Sequence, residues 1–451
     1  MAAHRRRRGR AAMTSVVRQG PTALPVAAPV GREAGTVSPS RSAIPLAGEH
    51  FGMAIVYLVA GAVGLVWIAP DLARGAYTEP RVAGVLHLFT LGWITMTIFG
   101  ALYQLLPVAL GAPIRSWRVG HASFWTFAPG VGLFAGGVGT TSPILRHAGL
   151  TLVAAGVVLA VSNVASTLPR ARARDVTWAA IALAITFLTT TLTLGAILLH
   201  NLQTGFIAAA RLRVLATHLH VAIVGWALIT IVGVSHRLLP MFLLARGADT
   251  RWTKRALAFL AIGVPTLATG ILVQQTAVRW VGVGLLELGI ACFLRQAYAF
   301  YRARAKRSLD AGMRFAATAL GFLTVSALLG PAVLAAGPGH ARLDTAYVAI
   351  GLLGGIVLYI IGLFYKIVPL LAWVARYRGH MGKRRVPTVA EMYSSRVALV
   401  QLAAMGLGLA FLGAGIASGS ERVVQCGALL FLAGVLLFVG QLVHVAFGGP
   451  R

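Results

Sequence analysis

Twelve apolar stretches, each of about 20 residues or more, divide this chain from residue 47 onward, and a hydrocarbon core of roughly 30 Å is crossed by a helix of that length. They fall at 47–69, 82–110, 119–139, 144–167, 175–199, 214–243, 255–275, 280–301, 313–336, 345–375, 396–417 and 423–446. Hydrophobic residues make up 58% of the 451 and charged residues 11%, more apolar surface than a soluble fold of this size can hide. The expected fold class is all-α polytopic membrane protein, with residues 45–447 as one twelve-helix domain whose solvent and partner is the lipid bilayer. Residues 1–44, rich in Arg, Pro, Ala and Ser, are expected to form a disordered basic cytoplasmic tail.

The net charge of +29 raises the question of nucleic acid, and the placement of the cations answers it. Basic residues collect in alternate loops: Arg115 and Arg118; Arg170, Arg172 and Arg174; Arg246, Arg251, Lys254 and Arg255; Arg302 to Arg314; Arg376, Arg378, Lys383, Arg384, Arg385 and Arg396. The intervening loops hold mostly single arginines, namely Arg74, Arg81, Arg146, Arg211, Arg213, Arg279, Arg342 and Arg422. This alternation follows the positive-inside rule. It predicts a multi-pass protein of the cell inner (plasma) membrane with both termini cytoplasmic, and it makes no nucleic acid a partner. Cys292 and Cys426 lie far apart in apolar segments, are expected in the core, and form no CxxC or disulfide framework.

One stretch occurs three times. Residues 87–110, HLFTLGWITMTIFGALYQLLPVAL, align without gaps on 220–243, HVAIVGWALITIVGVSHRLLPMFL, and a fainter copy lies at 349–369, AIGLLGGIVLYIIGLFYKIVP. His87 falls on His220 and then on Ala349, and the prolines 107, 240 and 369 are 133 and 129 residues apart. Each interval spans four expected helices, so the repeat predicts three four-helix pseudo-repeats. Because four is even, the copies cross in one direction, which places their symmetry axis along the membrane normal. The glycines repeated within the stretch let helices approach closely, and the same space would also suit a flat cofactor.

On these residues the chain resembles the catalytic subunit (subunit I) of the heme–copper oxidase and nitric oxide reductase superfamily. In that family twelve helices form three arcs, and hemes sit in the pores between them. The resemblance covers 45–447 in topology and rests at residue level on the repeated stretch. It implies a heme ligand at His87 on the second helix, an oxidoreductase activity, copper, and a role in electron transport or in binding oxygen or nitric oxide. An electron-donor protein and other heme-protein or respiratory complex subunits would be its partners. The tenth helix, however, has Tyr347 and Ala349 where the sixth has His218 and His220, and the seventh lacks a His-His pair for copper. The His-x-His stands instead on the sixth helix, and the chain resembles divergent heme-binding members of the superfamily more than the respiratory oxidases.

Imidazole is a common ligand of iron and copper, and its second ring nitrogen is usually held by a hydrogen bond. His87 and His220 share a depth by alignment, so the expectation is a bis-histidine heme between them. His218 is turned by about 200° from His220. It is expected to orient that site or, with His200 at the end of the fifth helix, to hold a second metal. Glu287 is the one acid well inside a span, a proton relay or a structural hydrogen-bond donor. Gln104, Arg237 and Lys366, each three residues before a repeated proline, read as interfacial anchors; His50, His121, His380 and His444 read as interfacial too. Two other readings stay open: a twelve-helix secondary transporter using the histidines and Glu287, and a cofactor-free scaffold subunit.

Overall fold

The computed structural model describes residues 43–245, 249–305, 308–381, 383 and 385–448. The expected tail lies outside the described residues except for its last two, which begin the first helix. No strand occurs among the described residues, and long helices follow one another through the chain. They are α1 Ala43–Trp67, α2 Pro80–Ala109, α3 Trp117–Gly139, α4 Pro143–Thr167, α5 Val176–Thr204 and α6 Ala208–Leu243. There follow α7 Arg251–Leu272, α8 Thr276–Arg302, α9 Ala311–Ala336, α10 Ala341–His380, α11 Ser395–Ser418 and α12 Glu421–Phe447.

Eleven of these, among the described residues, are long and apolar enough to cross a membrane, and they make the chain a multi-pass helical membrane protein. The sequence pattern predicts twelve; the helix at the third position, α3, is 23 residues long but is diluted by Arg118, His121 and six glycines. Chain punctuation explains the boundaries. Ser116, Ser142, Asp175, Asp310 and Ser394 cap the N-termini of α3, α4, α5, α9 and α11 through their side chains. Gly205 and Gly419, both with positive φ, close the C-termini of α5 and α11.

The helices that carry the repeated stretch occupy the middle. In the most apolar part of α2, α6 and α10 the buried share is 67%, 61% and 83%, against at most 44% in the other spans. They bind one another through polar contacts. Trp226 Nε1 donates to Thr95 Oγ1 at 3.0 Å, linking α6 to α2, and the Ser235 and Tyr359 hydroxyls lie 2.6 Å apart, linking α6 to α10. Each also contains an eight-residue π-helical segment, at Leu88–Thr95, Val221–Leu228 and Ile350–Val357. π turns are uncommon and usually single. Here they begin one residue after His87, His220 and Ala349, so the repeat is one of backbone geometry as well as of sequence.

Close packing recurs in the same way. A Cβ on Gly92, Gly225 or Gly354 would strike the ring of Tyr57, Phe187 or Phe322, on α1, α5 and α9. The space that a flat cofactor would want is therefore filled by aromatic side chains, and the packing role of these glycines is the one realised. Around the centre, α3 pairs with α4, α7 with α8 and α11 with α12. Each hairpin is closed by four glycines at one spacing: 130, 137, 149 and 156; 263, 270, 282 and 289; 408, 415, 427 and 434. A Cβ on Gly270 or Gly415 would sit 2.6 Å from the backbone nitrogen of Arg279 or Val424. The backbones touch, and no side chain fits between them.

Two of the expected anchors have partners instead. Arg237 pairs with Asp175, and Lys366 Nζ meets Asp310 Oδ2 at 2.6 Å, so each cation holds the capping aspartate of a neighbouring helix. His50 is fully buried rather than interfacial: its Nδ1 bonds the Leu46 carbonyl and its ring packs on Tyr103 and Phe124. Cys292 is buried as expected, whereas Cys426 is exposed on the outside of α12.

Candidate functional site

The site begins with the histidines at the head of the π segments. His87 lies on α2 with Nδ1 2.7 Å from the Ala83 carbonyl, and His220 lies on α6 with Nδ1 2.8 Å from the Ala216 carbonyl. In both, a backbone bond one turn back fixes the ring and turns Nε2 outward, the arrangement a metal-ligating imidazole needs; in His87 that nitrogen has no hydrogen-bond partner among the described residues, in His220 it faces the Tyr347 hydroxyl.

The two do not meet. His87 lines a cavity of about 200 Å³ together with His218, whereas His220 lines a different cavity, of about 220 Å³, together with Tyr347. The expected pairing of His87 with His220 is thus replaced by His87 with His218. Sharing a depth brings no contact when two side chains face different cavities. The neighbouring interface repeats the arrangement: His220 Nε2 lies 3.5 Å from the Tyr347 hydroxyl. His220 aligns with His87, and Tyr347 aligns with His218, so His220–Tyr347 on α6 and α10 is the counterpart of His87–His218 on α2 and α6.

The cavity shared by His87 and His218 lies between α2, α5, α6 and α10, and a smaller one of about 70 Å³ has both histidines in its wall as well. Phe134 of α3 stands edge-on to the His87 ring, with centroids 5.0 Å apart. On the far side, Gly195 of α5 faces His218; a Cβ there would lie 3.3 Å from His218 Cε1. His218 Nδ1 is buried and has no hydrogen-bond partner, although the Thr191 backbone faces the ring. A buried imidazole nitrogen without a partner costs free energy, and a group that reaches Nδ1 itself would remove the deficit.

The remaining wall is apolar, with leucines, Val82, Val85 and Ala222, apart from Tyr77, Thr78, Thr90, Arg211 and Thr345. Arg211 forms no hydrogen bond or ion pair among the described residues, and it stands seven residues before His218, about 10 Å along the helix. The donor set therefore comprises two imidazoles from separate helices, an apolar chamber and an uncommitted guanidinium. Such a set could hold a flat apolar group that carries a metal and an acidic edge. Nothing in sequence alone marks Phe134, Gly195 or Arg211; they belong to the site only because α3, α5 and the start of α6 converge on it.

The other expected site residues fall elsewhere. His200 is exposed, packs on Phe206 at 5.3 Å between centroids, and lines neither histidine cavity, so it joins no site with His218. No group of three His, Cys, Asp or Glu side chains among the described residues is placed to hold a metal ion. Glu287 makes no hydrogen bond among the described residues, against the structural alternative for it; its Oε1 faces Gly330 beside the Tyr347 ring. No protein-family model matches the chain, and no characterised protein shows significant similarity to it.

Proposed function

We propose that the chain is a membrane hemoprotein built like subunit I of the heme–copper oxidases and nitric oxide reductases, with His87 and His218 as the heme ligands. The observation that carries this reading is the pair of imidazoles on α2 and α6 sharing one apolar cavity, with the His218 Nδ1 unpartnered. Arg211 and Tyr77, in the wall of the same cavity, suit the carboxylates at the edge of a heme. Held by the imidazoles of His87 and His218, a heme would supply a one-electron redox centre. The proposed role is therefore electron transfer in the inner membrane, with a separate electron donor, rather than oxygen or nitric oxide reduction. Copper forms no part of it.

In the same reading the architecture is twelve spans in three four-helix units about an axis along the membrane normal, with α3 as the twelfth span. The three π segments, the three glycine–aromatic contacts and the three four-glycine hairpins support it. The hairpin spacing makes α3 the equivalent of α7 and α11, both of which are apolar enough to cross. The basic loops set both termini in the cytoplasm.

The test is heme content. Protein expressed with excess heme supply and purified in mild detergent is assayed for heme per chain, then reduced and exposed to carbon monoxide. The proposal expects close to one heme per chain and a sharp low-spin reduced spectrum that carbon monoxide leaves unchanged. A colourless preparation contradicts it and favours the transporter or scaffold reading, which proton-coupled uptake in vesicles would then separate.

A further inference from the structure

Arginines that stand singly in the sparsely charged loops come together in space. The short helix Ala69–Arg74 ends at Gly75, with φ +74, and a Cβ there would lie 2.8 Å from the backbone where Ala341 joins Arg342. The end of that helix thus abuts the start of α10, and Arg74 and Arg342 line one cleft. The Arg342 guanidinium lies over Gly419 at the end of α11, where a Cβ would meet Cζ at 2.6 Å.

The arginines of this end are incompletely paired. Asp71, fully buried, takes both Arg74 and Arg81, one carboxylate for two guanidinium groups. Arg342 has no ion pair among the described residues: Asp344, two residues on in the same helix, and Glu79 and Glu421 in the neighbouring loops all lack a salt bridge to it. His340 adds a further imidazole to the same wall.

Below this rim the cleft, about 770 Å³, runs between α9 and α11 across the face of α10. Phe322, Val325 and Leu329 form one wall, and Ala410, Gly413 and Ala417 form a smooth opposite one. Val325 is 47% exposed, so the cleft opens sideways, which for a membrane protein is toward lipid. We propose that it is a binding site for one anionic phospholipid, with an acyl chain in the cleft and the phosphate on Arg342 and Arg74. The planar fork of arginine matches phosphate oxygens, and a basic pocket between helices attracts an acidic headgroup.

The test is lipid retention by the purified, delipidated protein, read by native mass spectrometry. Phosphatidylglycerol and phosphatidylcholine with identical chains are added in turn. The site predicts a preference for phosphatidylglycerol of about tenfold or more. Arg342→Gln should abolish the preference and Arg342→Lys should keep most of it, while Ala417→Trp, which fills the cleft, should reduce retention of both lipids. Equal retention by the parent, or an Arg342→Gln protein with the preference intact, overturns the proposal. Displacement of the lipid by millimolar inorganic phosphate also overturns it, because the site would then be one for a free anion.

Discussion

Asp310 and Asp175 hold equivalent places, each capping one helix and pairing with a cation three residues before a repeated proline, yet their loss should be felt unequally. Asp310 Oδ1 accepts the Met313 amide at 3.1 Å while Oδ2 takes Lys366 Nζ at 2.6 Å, and the two side chains are only 28% and 19% exposed. In the other pair Asp175 is 27% exposed but Arg237 is 43% exposed. A cap is worth about 1 kcal/mol, and asparagine preserves it. A half-buried charged hydrogen bond contributes about 1.5–3 kcal/mol, a solvent-screened one about 0–1 kcal/mol. Asp310→Asn should therefore destabilise by about 2 kcal/mol and Asp310→Ala by about 3 kcal/mol, with Asp175→Asn below about 1 kcal/mol. Reversible unfolding in mixed micelles reads these differences, and a double-mutant cycle with Lys366→Met isolates the pair. A coupling under about 0.5 kcal/mol, or a larger loss at Asp175 than at Asp310, would refute this reasoning.

Three further outcomes follow from packing and charge. Gly415→Leu should part α11 from α12 and destabilise by about 3 kcal/mol or prevent accumulation, whereas Gly406→Leu on the same helix, where a Cβ meets nothing within 4 Å, should be tolerated. Expression level and thermal midpoint compare the two. Trp226→Phe should lower stability by about 1–2 kcal/mol through loss of the bond to Thr95, and adding Thr95→Val should cost little more, as a double-mutant cycle would show. Tyr393, between α10 and α11, is buried against Tyr365, and burial together with Asp310 pushes its hydroxyl up to about 12. Its contribution is complete below the ordinary tyrosine value near 10 and is lost as pH rises toward 12, because only the unfolded chain ionises in that window. Tyr393→Phe should flatten the fall in stability from pH 10 to 12, and an unchanged slope would contradict the assignment.

The repeat around His87 and His220 was legible because it is carried by identical residues at one offset, and it led to the central helices. The second repeat, four glycines in each outer hairpin, is equally present in the sequence. It is hard to see there because glycine is abundant and the flanking residues differ. The π segments leave no comparable mark: LFTLGWIT, VAIVGWAL and IGLLGGIV share no proline or polar break. The expected pairing of His87 with His220 differs from the cavities observed for a geometrical reason. Alignment reports height along the helix, while contact depends on direction around it, and His87 and His220 line different cavities. Two positions back, His218 is turned by about 200° and faces α2. His200 was misplaced because the end of a helix fixes neither the side on which its side chain falls nor its exposure.

The most direct test of the account is the reduced optical spectrum of the heme-loaded protein beside His87→Ala, His218→Ala, His220→Ala and His200→Ala. The account predicts that the first two substitutions convert the low-spin spectrum to high-spin or remove the pigment, while the last two leave it unchanged. Loss of the low-spin bands in His220→Ala with His218→Ala unaffected would contradict the assignment of the site.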